Sequence, residues 1–149
     1  MNKLQLPLER ATTSTFEELT LLWAEDDATA GAGDGAFDHA MRVRFHGAAE
    51  GFLEVRASRG LMIAAAANML GDDNLVSHEL GVDALGEVAN VICGNVLPEI
   101  AGSAGVFRLD SPAACDARAN VQADARCSLT LDGGRVEVLL VVDCMKDQS

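Results

Sequence analysis

The sequence is poor in basic residues, with 11 Lys and Arg against 23 Asp and Glu in 149 residues. The net charge of −12 opposes binding to nucleic acid, because few cations are available to displace the counterions of a phosphate backbone. The same charge disfavours docking on an anionic membrane, and it suits a partner that carries basic groups. We therefore expect no nucleic-acid partner and no membrane partner.

Long apolar runs are missing as well. No stretch approaches about 18 consecutive apolar residues, so we predict no membrane span. The first residues, MNKLQLPLER, lack the apolar segment of a signal peptide, which favours a cytoplasmic location. The four cysteines form no C-x-x-C pair, and in a reducing cytoplasm we expect free thiols. They are Cys93, Cys115, Cys127 and Cys144.

The common motifs of catalysis and cofactor binding are also absent. The sequence contains neither the G-x-S-x-G of serine hydrolases nor a P-loop, and the glycines of residues 31–35 do not complete a dinucleotide fingerprint. The three histidines lack metal-ligand spacing, so we predict no metal and no cofactor bound by this chain. The acidic residues 25–27 follow a predicted helix instead of a strand, which argues against a phosphoryl-accepting receiver domain.

Apolar residues make up 49% of the chain, enough for one domain with a core. Periodicity predicts helices at 14–24, 59–70 and 77–101, and strands at 40–47, 51–57, 104–110, 119–131 and 135–143. This order lacks regular βαβ alternation. It predicts a single α/β domain of the α+β type over residues 1–149, with two or three helices packed on a mostly antiparallel sheet.

Local signals set the expected boundaries of these elements. Ser14 or Thr15 is expected to cap the first helix, and Ser58 the second. Pro98 is expected to kink the third helix or to end it early. Hairpin turns are predicted at 47–50 and 132–134, and residues 25–38, rich in Gly, Ala and Asp, are predicted to form a flexible acidic loop.

The most informative segment is DALGEVANVICGNVLPEI, residues 83–100. At about 100° per residue, Asp83, Glu87, Asn90 and Gly94 fall on one stripe of a helix, and the apolar residues fall on the opposite face. Asn90, Gly86 and Gly94 are weak helix formers clustered beside that stripe. Local rules are often broken where function requires it, although the same polar face is also compatible with simple solvation.

The pattern Asp83-x-x-x-Glu87-x-x-Asn90, with Pro112 placed 22 residues after Asn90, resembles the signature of the CheC/CheX/FliY family of chemotaxis phosphatases. The resemblance covers residues 50–145 in layout and is most specific over 83–112. A single complete copy of the motif resembles CheX-like members, since CheC-like members carry two. The first helix holds Ser14-x-x-x-Glu18-x-x-Leu21, which we interpret as a degenerate second copy with Leu in place of Asn.

The resemblance implies a CheC-like fold and a phosphatase that acts on the aspartyl phosphate of a CheY-type response regulator. Asn90 would orient a water molecule, and Glu87 would pair with a lysine of the receiver. Asp83, Gly86 and Gly94 would contribute to the partner contact. Pro112 would shape the loop beneath the helix. Mg²⁺ would be bound by the receiver and not by this chain.

The resemblance further implies a homodimer joined through its sheets. Two other interpretations of the stripe remain. The first is a binding module that docks on a receiver domain or a flagellar-switch protein without catalysis. The second is a purely structural or dimerisation domain with a solvated polar face. Asn90 favours catalysis, because a bare docking surface has no use for an amide at that spacing.

Overall fold

The computed structural model describes residues 3–23, 37–70, 77–102, 105–131 and 134–145. The helices are α1 (Gln5–Thr15, continued by a π-helical turn over Phe16–Thr20), α2 (Arg59–Leu70) and α3 (His78–Ala101). The strands are β1 (His39–Gly47), β2 (Ala49–Ala57), β3 (Phe107–Leu109), β4 (Ala113–Cys115), β5 (Ala125–Leu131) and β6 (Gly134–Met145).

The strands form one sheet in the order β3-β1-β2-β6-β5, and β4 pairs with β1 farther along the same edge as β3. All of these pairings are antiparallel. Along β1, Met41, Val43 and Phe45 are buried, whereas the alternate residues Arg42 and Arg44 lie on the other face. Three helices packed on an antiparallel sheet confirm the predicted fold class.

Helix α3 packs on β1 and β2, and both α1 and α2 contact it. It buries Val88, Ile92 and Val96 in the same core as Val43 and Phe45 of β1. These residues recur at helical spacing, so one face of α3 is buried along most of its length. The opposite face of the helix is therefore left at the surface.

Both ends of α3 have a clear local cause. The Ser77 hydroxyl accepts a hydrogen bond from the Leu80 backbone N–H at 3.1 Å, which is the geometry of an N-cap. Gly102, with a φ of +88°, follows the last helical residue and lets the chain leave the helix axis. Pro98 does not end the helix, which continues to Ala101.

By length and hydropathy alone, α3 would qualify as a membrane-spanning helix. The core helix of a globular protein passes the same test, and more than half of the apolar window in α3 is buried inside this protein. The helix is amphipathic in place, because most of its apolar residues are buried against the rest of the protein and its charged residues are exposed.

The prediction for the first helix was wrong in its position. The helix begins at Gln5, and Ser14 and Thr15 lie inside it and cannot cap it. Pro7 is tolerated in the first turn, where its missing N–H would have no intrahelical partner. Leu21 lies beyond the π-helical turn with a φ of +57°. The pattern ending at Leu21 therefore does not form a second continuous helical stripe.

Several other boundaries also differ from the prediction. β3 and β5 are shorter than the predicted strands at 104–110 and 119–131, and β4 was not predicted at all. The first hairpin turns more tightly, since only Ala48 separates the two strands. Gly47 is required there, because a Cβ atom would collide with the backbone carbonyl of Val106.

The cap of α2 differs from the prediction too. Asp38, which precedes β1, accepts a hydrogen bond from the Arg59 backbone N–H at 2.8 Å. The Ser58 hydroxyl accepts instead from the backbone N–H of Arg135 on β6 at 3.0 Å. Most of the acidic loop predicted at 25–38 and most of the turn predicted at 132–134 lie outside the described residues.

A buried ion network ties the strands together on the face of the sheet opposite to the helices. Glu54 of β2 has no exposed surface, and its two carboxylate oxygens accept from Arg42 at 2.7 Å and from Arg56 at 2.5 Å. Arg56 also donates to the backbone carbonyl of Ala119 at 2.7 Å. Burial by itself would raise the pKa of Glu54, but the hydrogen bonds from both arginines and the charge of Arg56 outweigh it and hold that pKa below its ordinary value.

We expect Glu54→Gln to lower the free energy of unfolding by about 3–5 kcal/mol, because it leaves the charge of buried Arg56 without its partner. The matched control is Glu50→Gln on the same strand, whose side chain is 46% exposed and should cost at most about 1 kcal/mol. Urea denaturation of both variants at neutral pH measures the difference. Equal costs for the two variants would contradict this role of Glu54.

The same network predicts a pH dependence with a definite sign. Because the folded pKa of Glu54 lies below its ordinary value of 4.5, its contribution to stability is complete above that value. It is lost as the pH falls below 4.5 and through the folded pKa. The difference in unfolding free energy between the wild type and Glu54→Gln should therefore shrink between neutral pH and strong acid.

Candidate functional site

The exposed stripe of α3 carries the polar residues that the sequence singled out. Asp83 and Glu87 are exposed, and Asn90 is half-buried on the same side of the helix. At 1.5 Å per residue, Asp83 and Asn90 lie about 10 Å apart along the axis. The three side chains are therefore brought together along a short stretch of rigid helix, as predicted.

No hydrogen bond or ion pair with any described residue engages the side chains of Asp83, Glu87 or Asn90. The helix that carries them contains no Lys or Arg between His78 and Ala101. Both carboxylates and the amide are thus available to groups from outside the chain. An amide can donate and accept hydrogen bonds at the same time, whereas an ionised carboxylate only accepts.

Gly86 has a role different from the one that was predicted. It is buried, and a Cβ atom at this position would lie 3.2 Å from the Cβ of Pro112 and 3.4 Å from the Cε of Met41. Gly86 therefore lets the segment before β4 pack closely against α3, and it does not offer a surface to a partner. Its assignment as a partner contact is corrected to an internal contact.

This contact also explains the position of Pro112 in the motif. Pro112 precedes β4 in sequence and contacts α3 at Gly86, one helical turn before Asn90. A spacing of 22 residues in the sequence thus corresponds to direct packing beside the polar stripe. Because proline fixes its own φ, it reduces the conformational freedom of this segment beside the helix.

Gly94 lies at the other end of the stripe and is exposed. No atom outside its own neighbourhood lies within 4 Å of the position that a Cβ would occupy. Glycine in a helix interior costs about 1 kcal/mol relative to alanine, and no packing contact with the described residues requires it. A role for Gly94 in close docking stays a prediction.

The thiols are poor candidates for nucleophiles. Cys93, Cys115 and Cys127 are free, as predicted, and burial raises their pKa values to about 12, 11 and 11, respectively. They remain protonated at neutral pH, and a protonated thiol is a weak nucleophile. The side chain of Cys144 lies outside the described residues.

Histidine and carboxylate groups form no metal centre in the described part of the chain, where no three His, Cys, Asp or Glu side chains are grouped to hold an ion. His46 contacts the Asp110 carboxylate at 3.1 Å on the surface. The rings of His39 and His78 lie 4.7 Å apart, a contact between β1 and the start of α3 that the sequence did not suggest.

A groove between α2 and α3 adjoins the stripe and was also not predicted. It has a volume of about 260 Å³, and Asp83 and Glu87 form part of its wall. The rest of its lining is apolar and includes Met69, Leu70 and Leu80. The groove exists because two helices meet, so no local pattern could reveal it. Leu70 and Leu80, which line the groove, are exposed, and this exposure becomes visible only in the structure.

Solved structures share this fold. The chemotaxis protein CheX from Desulfovibrio desulfuricans superposes with a TM-score of 0.69 at 18% identity, over 94% of this chain and 99% of that chain. A chain of the CheX–CheY–BeF3–Mg²⁺ complex from Borrelia burgdorferi gives a TM-score of 0.64 at 18% identity, over 92% and 96%. FliY from Thermotoga maritima gives 0.55 at 11% identity, over 91% and 84%.

At the level of sequence, no curated protein matches the chain. The family model of the chemotaxis phosphatase CheX matches residues 40–129, which include the Asp83–Asn90 motif and Pro112. This match spans more than half of the chain, and the fold and the exposed stripe agree with it. The protein therefore belongs to the CheX family of chemotaxis phosphatases.

Proposed function

We propose that this protein hydrolyses the aspartyl phosphate of a CheY-type response regulator. The observation that carries the proposal is the exposed stripe on α3, where the amide of Asn90 and the carboxylate of Glu87 lie one turn apart with no partner among the described residues. The solved complex of a CheX with CheY, BeF3 and Mg²⁺ supports a partner of this type. Such a role places the protein in the cytoplasm with its receiver.

The chemistry requires little covalent participation by the phosphatase. A water oxygen attacks phosphorus in line, the bond between phosphorus and the receiver's aspartyl oxygen breaks, and inorganic phosphate leaves as the carboxylate is restored. Phosphoryl transfer of this kind depends on positioning and charge neutralisation. Mg²⁺ bound by the receiver would supply part of that neutralisation.

Asn90 fits the positioning role. Its amide oxygen can accept a hydrogen bond from the attacking water, and its NH₂ group can donate to the water or to a phosphoryl oxygen. The helix that holds Asn90 is anchored in the core by Val88 and Ile92, so the amide enters the receiver on a rigid support. Rigid presentation increases the fraction of encounters in which the water is aligned with phosphorus.

Glu87 fits a docking role. It lies one turn before Asn90 on the same stripe and is exposed, so both side chains can enter one site on the partner together. An ion pair between Glu87 and a lysine of the receiver would fix the register of the two proteins. Asp83, one turn farther toward the start of the helix, would contact the rim of the same interface.

We expect Asn90→Ala to remove at least about a hundredfold of the acceleration of receiver dephosphorylation, because the attacking water is no longer aligned. Phosphate release from a phosphorylated receiver measures this effect. Asn95→Ala is the control on the same helix, since the one hydrogen bond of its side chain to a described residue is a 3.4 Å contact with Thr15, away from the stripe. Full activity of Asn90→Ala with an unchanged fold would remove Asn90 from the mechanism and would favour a binding module.

We expect Glu87→Ala to raise KM for the phosphorylated receiver by about tenfold with a smaller change in kcat, since the carboxylate contributes to docking. Glu99→Ala, an exposed glutamate on the same helix, is the matched control and should leave KM unchanged. The effect of Glu87→Ala should also decrease as ionic strength rises, because the lost interaction is electrostatic. An unchanged KM in Glu87→Ala would contradict the ion pair.

We further propose a homodimer, which the resemblance to CheX-like proteins implies. The sheet ends in β5 on one side and in β3 and β4 on the other, so its edges offer backbone groups for pairing with a second sheet. Light scattering at micromolar concentration should give about 31 kDa, twice the 15.6 kDa of the chain. A mass of one chain under these conditions would exclude the dimer.

A further inference from the structure

The groove between α2 and α3 is open to solvent and continuous with the polar stripe. Its apolar wall includes Leu70, which is 55% exposed, and Leu80, which is 39% exposed. Asp83 and Glu87 also line the groove, and they belong to the stripe that carries Asn90. A partner whose surface reaches Asn90 along α3 would therefore also cover the groove.

The charge beside the groove has one sign. Glu79, Asp83 and Glu87 follow each other at intervals of four residues, and all three are exposed. Like charges at this spacing destabilise a helix, and no described cation pairs with any of these three carboxylates. Since α3 itself has no Lys or Arg, a basic side chain must come from outside the helix to neutralise the row.

We infer that the groove receives an apolar side chain of the phosphorylated receiver, with a basic side chain of the same receiver bound by Asp83 and Glu79. This inference rests on the proposed function and extends it to partner selection. Asn90 would set the rate of hydrolysis, whereas the groove would determine which receiver is accepted. Affinity would come from removing the exposed surface of Leu70 and Leu80 from water, and specificity from the acidic row.

The test is the double variant Leu70→Gln/Leu80→Gln. Both leucines are partly exposed, so their replacement leaves the core intact. Position 80 keeps the backbone N–H that donates to the Ser77 hydroxyl, and glutamine three residues after a serine cap completes a capping box. The matched control is Leu6→Gln on α1, since Leu6 is 52% exposed and does not line the groove.

Two measurements on the full chain are required. The first is the dissociation constant for Mg²⁺–BeF3-loaded receiver domains encoded in the same genome, and the second is dephosphorylation of those receivers. We expect the double variant to weaken binding of the preferred receiver by at least about tenfold, the scale of removing one buried apolar anchor. The loss should be carried by KM, with kcat within about twofold, and Leu6→Gln should behave as the wild type.

Charge reversal in the acidic row supplies an independent readout. Asp83→Lys should weaken binding of the preferred receiver and should improve binding of receivers with an acidic residue at the contact, which shifts the order of preference within the panel. Loss of binding to all receivers by the same factor would contradict selection by the row.

The outcomes separate this inference from the proposed function. If the wild type binds a loaded receiver but hydrolyses the phosphate of none, the proposed phosphatase function is wrong. The effect of the double variant on binding still tests the role of the groove. Unchanged binding of the double variant overturns the inference while Asn90→Ala can still confirm catalysis. A wild type that binds no receiver overturns the inference about the groove. A double variant whose only change is its mass in light scattering assigns the groove to a second copy of the chain and overturns it as well.

Discussion

Helix α3 buries one face against the sheet and exposes the opposite face to solvent. Val88, Ile92 and Val96 lie in the core against β1, and burial of each contributes about 1.5–3 kcal/mol. That burial fixes the rotation of the helix about its axis. Once the rotation is fixed, helical geometry leaves no choice about which residues face the solvent, and Glu87 and Asn90 are among them. The site is thus a direct consequence of how the core is packed.

The contact between Gly86 and Pro112 adds a second anchor beside the same helix. Close approach is possible because Gly86 lacks a Cβ, which at this position would lie only 3.2 Å from the Cβ of Pro112. The segment before β4 is held at the edge of the sheet by the pairing of β4 with β1. The helix is therefore supported both by the core and by this segment. Rigid support of this kind suits a reaction that depends on the position of one amide.

Charged residues have two different roles in this structure. On the face of the sheet opposite to the helices, the buried Glu54 is neutralised by Arg42 and Arg56, and it joins strands together. On α3, Asp83 and Glu87 have no counterpart within the described residues. The charges of the first group neutralise one another and stabilise the fold. The second has no partner among the described residues, which supports the proposed pairing with a basic group of the receiver.

The fold class, the position of α3 and the identity of the stripe could be predicted from the sequence, because each follows from short-range periodicity. The resemblance to the CheC/CheX/FliY family likewise rested on spacing within the chain. The other features depend on contacts between segments that are distant in the sequence. Gly86 became an internal contact because Pro112 reaches it from another segment, and α2 received its cap from Asp38 because β1 starts beside it. The first helix was predicted in the wrong place because Ser14 and Thr15 are residue types that often cap helices. In the structure both lie inside the helix. The groove between α2 and α3 belongs to neither helix by itself, so no pattern along the chain can encode its shape.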